Sequence, residues 1–260
     1  MKKLLFSLPF AALVFSCTEW HGTSLDEQGE LPWDSVSLCI DNPIAPGEDL
    51  CYHIEFNLDT LSSNDELANQ LAIVLRDSVL RAPEATSILE AMTCYADSVE
   101  KEWKTELAEL YDPASDFRES LQYYFTIEGY PAEKELAEGE QDSILSYQTT
   151  TDCFLGGAHG SYIVHYYNFN KKSGKLLNIS DIVPAEKEML VLMAMGDQLC
   201  KDWDAKDMTE LQEKTGITML GDLYLTNNFL IEGDSITFLF NQYEIAPYAA
   251  GLISVKLKRP

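Results

Sequence analysis

Hydrophobic alternation is the feature that most limits how this chain can fold. Val36, Leu38 and Ile40 alternate with polar neighbours, and so do Leu50, Tyr52, Ile54 and Phe56, the period-two pattern of half-buried strands. Leu121, Tyr123, Phe125 and Ile127 repeat it. Residues 144–153 and 161–170 read as further strands, and Lys171-Lys172-Ser173-Gly174 turns the chain back into 175–179. Phe229-Leu230-Ile231 and Ile236-Thr237-Phe238 flank Gly233-Asp234, a two-residue hairpin turn. Between these segments the period lengthens to that of a helix. Ser63-x-x-Glu66 has the form of a capping box ahead of Leu67, Leu71, Val74 and Leu75. Pro83 suits the first turn of a second helix, striped by Ile88, Met92, Tyr95, Val99 and Trp103. A third helix over about 185–203 places Met189, Leu192, Met193, Leu199 and Cys200 on one face. The acidic stretch 131–142 reads as an exposed loop. The pattern predicts an α+β fold, with antiparallel β-sheets and helices packed against them.

The first residues read as an address. Lys2 and Lys3 precede an apolar run over residues 4–15 that is too short to span a bilayer and has the shape of a secretory signal. Cys17 follows Val14-Phe15-Ser16 as in a bacterial lipobox, where cleavage frees the cysteine for lipid attachment. The expected organisation is a signal peptide over 1–16, a lipidated tether over 17–33, an N-terminal α+β half over 34–119 and a C-terminal module over 120–260. The protein is expected to be exported and lipid-anchored in the cell envelope, in the periplasm or on the surface face of the outer membrane. Removing residues 1–16 takes away two lysines and no acid, so the net charge of −25 becomes −27. A surface that negative repels phosphates and argues against nucleic acid as a partner, while it suits a cationic one.

Export permits disulfides. Five cysteines remain beyond Cys17, and none forms Cys-x-x-Cys. A hairpin turning through 42–48 with Leu38 opposite Tyr52 would set Cys39 opposite Cys51 on the outer face, at bonding distance. The pair is therefore a disulfide candidate, with two free half-buried thiols as the alternative.

Catalytic signatures are few. No His-Glu-x-x-His, Gly-x-Ser-x-Gly or Walker loop is present, so no metal or other cofactor is expected. Carboxylates are too numerous to single out an acid–base pair. Cys153 and His159 could be imagined as a thiol and its base, although chance explains their proximity better. His159 sits in Gly156-Gly157-Ala158-His159-Gly160, where glycines let the backbone turn sharply and present one imidazole.

That loop belongs to a longer pattern. Asp142-Ser143-Ile144-Leu145-Ser146-Tyr147, the His159 loop, Tyr167-Asn168-Phe169-Asn170 with Ser173-Gly174-Lys175, and Asn241-Gln242-Tyr243-Glu244-Ile245-Ala246-Pro247-Tyr248-Ala249-Ala250-Gly251 occur in this order. Together they resemble the extracytoplasmic domain of RsiV-type anti-sigma factors, the lysozyme receptors, a module that also precedes the catalytic domain of PdaC-type peptidoglycan deacetylases. The resemblance covers roughly residues 120–258. An RsiV-type protein carries a sigma-binding segment and a transmembrane helix ahead of the module, where this sequence offers Cys17. The metal motifs of the PdaC-type deacetylase domain do not occur. The resemblance thus implies a non-catalytic, ligand-binding envelope lipoprotein whose partner is a cationic protein such as lysozyme or a peptidoglycan fragment. The alternative is an envelope glycan hydrolase or deacetylase using His159 and nearby carboxylates.

The expected ligand-binding residues are His159, Tyr243, Glu244, Pro247 and Tyr248. Tyrosines supply large contact area with a polar tip, Glu244 suits a basic ligand, and Pro247 stiffens its loop. The competing expectation is that Tyr243 and Tyr248 pack inward and lock the last strand.

Overall fold

The computed structural model describes residues 31–43, 51–110, 123–132, 144–154 and 158–259. The expected signal peptide, Cys17, the tether up to residue 30, Gly156, Gly157 and most of the acidic stretch 131–142 lie outside them. Five strands run in order: β1 (Trp33–Pro43), β2 (Cys51–Leu61), β3 (Tyr123–Pro131), β4 (Ile144–Phe154) and β5 (Ser161–Asn170). With the short β6 (Leu176–Leu177) they form a six-stranded sheet in sequence order. β7 (Phe229–Glu232), β8 (Ser235–Phe240) and β9 (Ile253–Lys258) form a second, antiparallel sheet of three. The Gly233-Asp234 turn joins Glu232 to its partner Ser235, with Gly233 at φ +58.

The larger sheet is mixed, not wholly antiparallel, because β2 and β3 pair in parallel. Two helices lie between them in the chain, α1 (Glu66–Val74, continuing as a wider turn over Leu75–Val79) and α2 (Ile88–Leu110). A helical crossover returns the chain to the same end of the sheet, so the next strand runs the same way. Asp65, not Ser63, caps α1, its carboxylate accepting from the Ala68 amide at 2.9 Å. α2 begins well after Pro83. There Ser87 Oγ accepts from the Glu90 amide and the Glu90 carboxylate accepts from the Thr86 amide.

Strand pairing corrects the disulfide expectation. Cys39 stands opposite Glu55, Leu38 opposite Phe56, and Cys51 opposite Pro43. The hairpin is centred two residues later than the alternation suggested. Four residues of strand then separate Cys51 from the position facing Cys39, roughly 13 Å of rise. That exceeds disulfide reach, and Cys39 is a free thiol. Alternation could not detect the shift, since moving the register by an even number keeps every side chain on its face.

α1 and α2 cover one face of the larger sheet. Leu38, Ile54, Phe56, Leu71, Met92, Trp103, Phe125 and Tyr147 form the core between them. β2, before residue 119, pairs with β3, beyond residue 120, so one sheet takes strands from both sides of the expected boundary. The apolar core divides later, between Phe169 and Ile179. Beyond that point come α3 (Ile179–Ile182), α4 (Glu188–Asp202) and α5 (Met208–Thr215). α4 buries Val191, Met195 and Leu199 against Phe229, Phe238, Phe240 and Val255. Its face is rotated from the expected stripe, so Met189 and Met193 are exposed. No helix among the described residues is long and apolar enough to cross a membrane.

Candidate functional site

Two connections meet at one end of β5. His159 lies in the turn between β4 and β5. Gly160 beside it is held so close to the Cys153 carbonyl that a Cβ would stand 2.9 Å from the oxygen, so only glycine fits. The other connection is residues 241–252, between β8 and β9.

Tyr248 opens a short turn over Tyr248–Ala250 after Pro247, whose fixed φ of −59 sets the approach. Its ring lies flat on His159, centroids 3.7 Å apart and planes 18° apart. Tyr243 closes the group. Its hydroxyl is 3.1 Å from His159 Nε2, and its ring is 5.8 Å from that of Tyr248. His159 Nδ1 lies 2.9 Å from the Gly160 carbonyl, which can only accept. The hydrogen bonds therefore assign the proton to Nδ1 and leave Nε2 to accept from Tyr243.

Tyr243 adopts φ +67, a left-handed conformation that costs a residue with a Cβ about 1 kcal/mol. The residue is 55% exposed. Such a conformation persists only where the surrounding structure holds it, here through the hydrogen bond of Tyr243 to His159.

The rest of this connection is architectural. Asn241 is buried, its Oδ1 accepting from the Val164 amide at 2.8 Å and its Nδ2 donating to the Val164 carbonyl at 3.1 Å. Asn228, at the start of β7, accepts from the Tyr166 amide and donates to the same Val164 carbonyl. Gln242 accepts from the Tyr162 amide at 3.4 Å. Side-chain amides thus complete the edge of β5 that no strand covers there, and they join the two sheets. Sequence reasoning missed Asn228 and Asn241. Their signal was two amides flanking β7 and β8 at buried positions.

Glu244 and Pro247 are less open than expected. Tyr224 donates to one Glu244 carboxylate oxygen at 3.0 Å, and Asn241 donates to the other at 3.2 Å. Pro247 rests on Gly216, the left-handed cap of α5, where a Cβ would meet its ring at 2.8 Å. Segment 219–224 runs alongside, with the Leu220 amide 3.4 Å from the Ile245 carbonyl. Met219, Leu220 and Tyr224 there are exposed and apolar, as Tyr243 is.

The cluster adjoins the face of the larger sheet opposite α1 and α2. By register, Asp41, Glu55, Asp59, Glu128 and Asp152 occupy that face with Tyr124, Tyr130, Tyr162 and Tyr166, and no lysine or arginine stands at its strand positions. Tyr124 links face and cluster. Its hydroxyl donates to Asp152 at 3.2 Å and would lie 3.7 Å from a Cβ on Gly160. Burial pushes the Tyr124 hydroxyl pKa up, and the Asp152 charge adds to this. Cys153 does not join His159, because it faces the core and burial raises its thiol pKa.

The family described as "Protein of unknown function (DUF3298)" matches residues 163–259, from β5 to β9. The crystal structure of a DUF3298 family member from Bacteroides fragilis is 22% identical, with a TM-score of 0.73 over 88% of this chain and 91% of that one. A DUF3298 family protein from Pseudomonas aeruginosa is 17% identical, with a TM-score of 0.56 over the same shares. At these identities the likeness establishes the fold. No curated protein matches the chain.

Proposed function

We propose that this protein is a non-catalytic recognition module of the RsiV/PdaC-like type, held at the cell envelope by lipid on Cys17, and that it binds a cationic protein such as lysozyme. The observation that supports this most is the group of exposed His159 and Tyr243 with half-buried Tyr248, at the edge of a sheet face that bears five carboxylates and no lysine or arginine at its described strand positions. Tyrosines at the centre of an interface carry much of its energy, and opposite charge speeds encounter. Met219, Leu220 and Tyr224 extend the apolar contact.

A wall-derived glycan fragment is the other ligand class that exposed aromatic rings suit. The hydrolase or deacetylase reading draws less support. Both His159 nitrogens are engaged, by Gly160 and Tyr243, and among the described residues no carboxylate bonds to the ring.

The test is to pass purified protein over immobilised lysozyme and, separately, over peptidoglycan, while assaying released sugars and acetate. Retention on lysozyme without product supports the proposal. Product release that is lost in His159→Ala would replace it with the enzyme. Cys17→Ser tests the anchor, since it should move the protein from the membrane to the soluble fraction.

A further inference from the structure

A second cluster lies at the opposite edge of the larger sheet, where β1 pairs with β2. Cys39 and Asp41 are two residues apart on β1. They face Glu55 and His53, also two residues apart on β2, so all four side chains share one face. The Cys39 thiol, an Asp41 carboxylate oxygen and a His53 ring nitrogen all lie within 4.8 Å of one another. His53 Nδ1 is 2.8 Å from Asp41 Oδ1, and Cys39 Sγ is 3.8 Å from Asp41 Oδ2. A metal with bonds of about 2.0 to 2.3 Å holds its ligands roughly 3 to 4 Å apart. These side chains therefore need only small rotations to close on one ion.

The other side of the imidazole carries the second observation. His53 Nε2 is 3.2 Å from Glu55 Oε2, and the other oxygen of Glu55 is held by Asn57 Nδ2 at 2.8 Å. A metal-ligating histidine usually donates its remaining N–H to a carboxylate, which fixes the tautomer and aims the free nitrogen at the ion. Glu55 stands where that partner belongs, and it is itself braced.

We infer that Cys39, Asp41 and His53 bind a divalent transition metal of the zinc class, with Glu55 as the positioning residue behind the imidazole. Thiolate, imidazole and carboxylate together suit zinc better than magnesium or calcium. Three protein ligands leave a fourth position for water or a donor from a partner. The chain's short-range spacings did not mark the site, because its ligands come in pairs from facing strands.

The experiment uses the reduced protein, stripped with chelator, then titrated with Zn²⁺ by calorimetry and with Co²⁺ by absorption. The expected result is one equivalent bound, with a thiolate-to-cobalt charge-transfer band. Cys39→Ser should abolish that band, and Cys39→Ser and His53→Gln should each weaken zinc binding at least tenfold. Glu55→Gln should keep the band while lowering affinity about tenfold. Circular dichroism and melting checks identify variants that remain folded. No stoichiometric binding, or unchanged affinity in folded Cys39→Ser and His53→Gln, would overturn the site.

Discussion

His159 lies flat against Tyr248 at 3.7 Å while its Nε2 accepts from Tyr243, so one imidazole ties together both aromatic residues of the β8–β9 connection. Removing Tyr248 removes the ring on which His159 rests. Tyr248→Ala should weaken ligand binding at least tenfold and shift the melting temperature little, because the ring is only half buried. Binding isotherms and melts on the same sample check both halves of the expectation.

Tyr243 separates presentation from packing in one substitution. Tyr243→Gly relieves the left-handed backbone, a gain of about 1 kcal/mol that the greater freedom of the unfolded chain largely offsets. It also deletes an exposed ring. The expected variant melts within a few degrees of the parent and binds at least tenfold more weakly. A clear drop in melting temperature would mean that the ring locks the last strand.

Asn241 is the architectural counterpart. Asn241→Ala removes the acceptor of the Val164 amide and leaves the Val164 carbonyl with Asn228 as its donor. A buried polar group left unpaired costs about 1 to 3 kcal/mol, so unfolding free energy should fall by about that amount. Urea denaturation measures this, and a loss below about 0.5 kcal/mol would remove the amide bridge from the account.

Acid should erase one helix cap. The hydrogen bond from Ala68 holds the Asp65 carboxyl pKa below its usual value. A depressed folded pKa gives stability that is present above the unfolded pKa of about 3.9 and lost as pH falls through the folded value. Asp65→Ala should therefore cost about 1 kcal/mol at pH 7. The gap to the parent should narrow steadily as melts are repeated at lower pH.

Much of this architecture was legible, because alternation and helical stripes report which face of each element is apolar. Leu38, Ile54, Phe56 and Phe125 went where their periods put them. Three things were not legible. Register at Cys39 is the first, because an even-numbered shift is invisible to alternation. The direction of β3 depends on how α1 and α2 carry the chain across the sheet. The buried face of α4 depends on what β9 offers it, so Val191 and Met195 turned inward while Met189 and Met193 did not. At the candidate site, His159, Tyr243 and Tyr248 stood out as an unusual loop composition. Asn228 and Asn241 looked like ordinary turn residues, since nothing local reveals that an amide will meet an open strand edge. The metal-ligating group at Cys39, Asp41 and His53 is likewise a product of pairing between strands.

The central claim is that an aromatic group beside an acidic sheet face captures a cationic protein. Surface-plasmon measurement of lysozyme binding to the parent and to Tyr243→Gly, from about 0.05 M to about 0.5 M salt, tests it most directly. The account predicts a saturable complex whose on-rate falls with salt, and Tyr243→Gly should keep that salt dependence while dissociating at least tenfold faster. A parent that does not bind lysozyme, or a folded Tyr243→Gly variant with an unchanged dissociation rate, would contradict it.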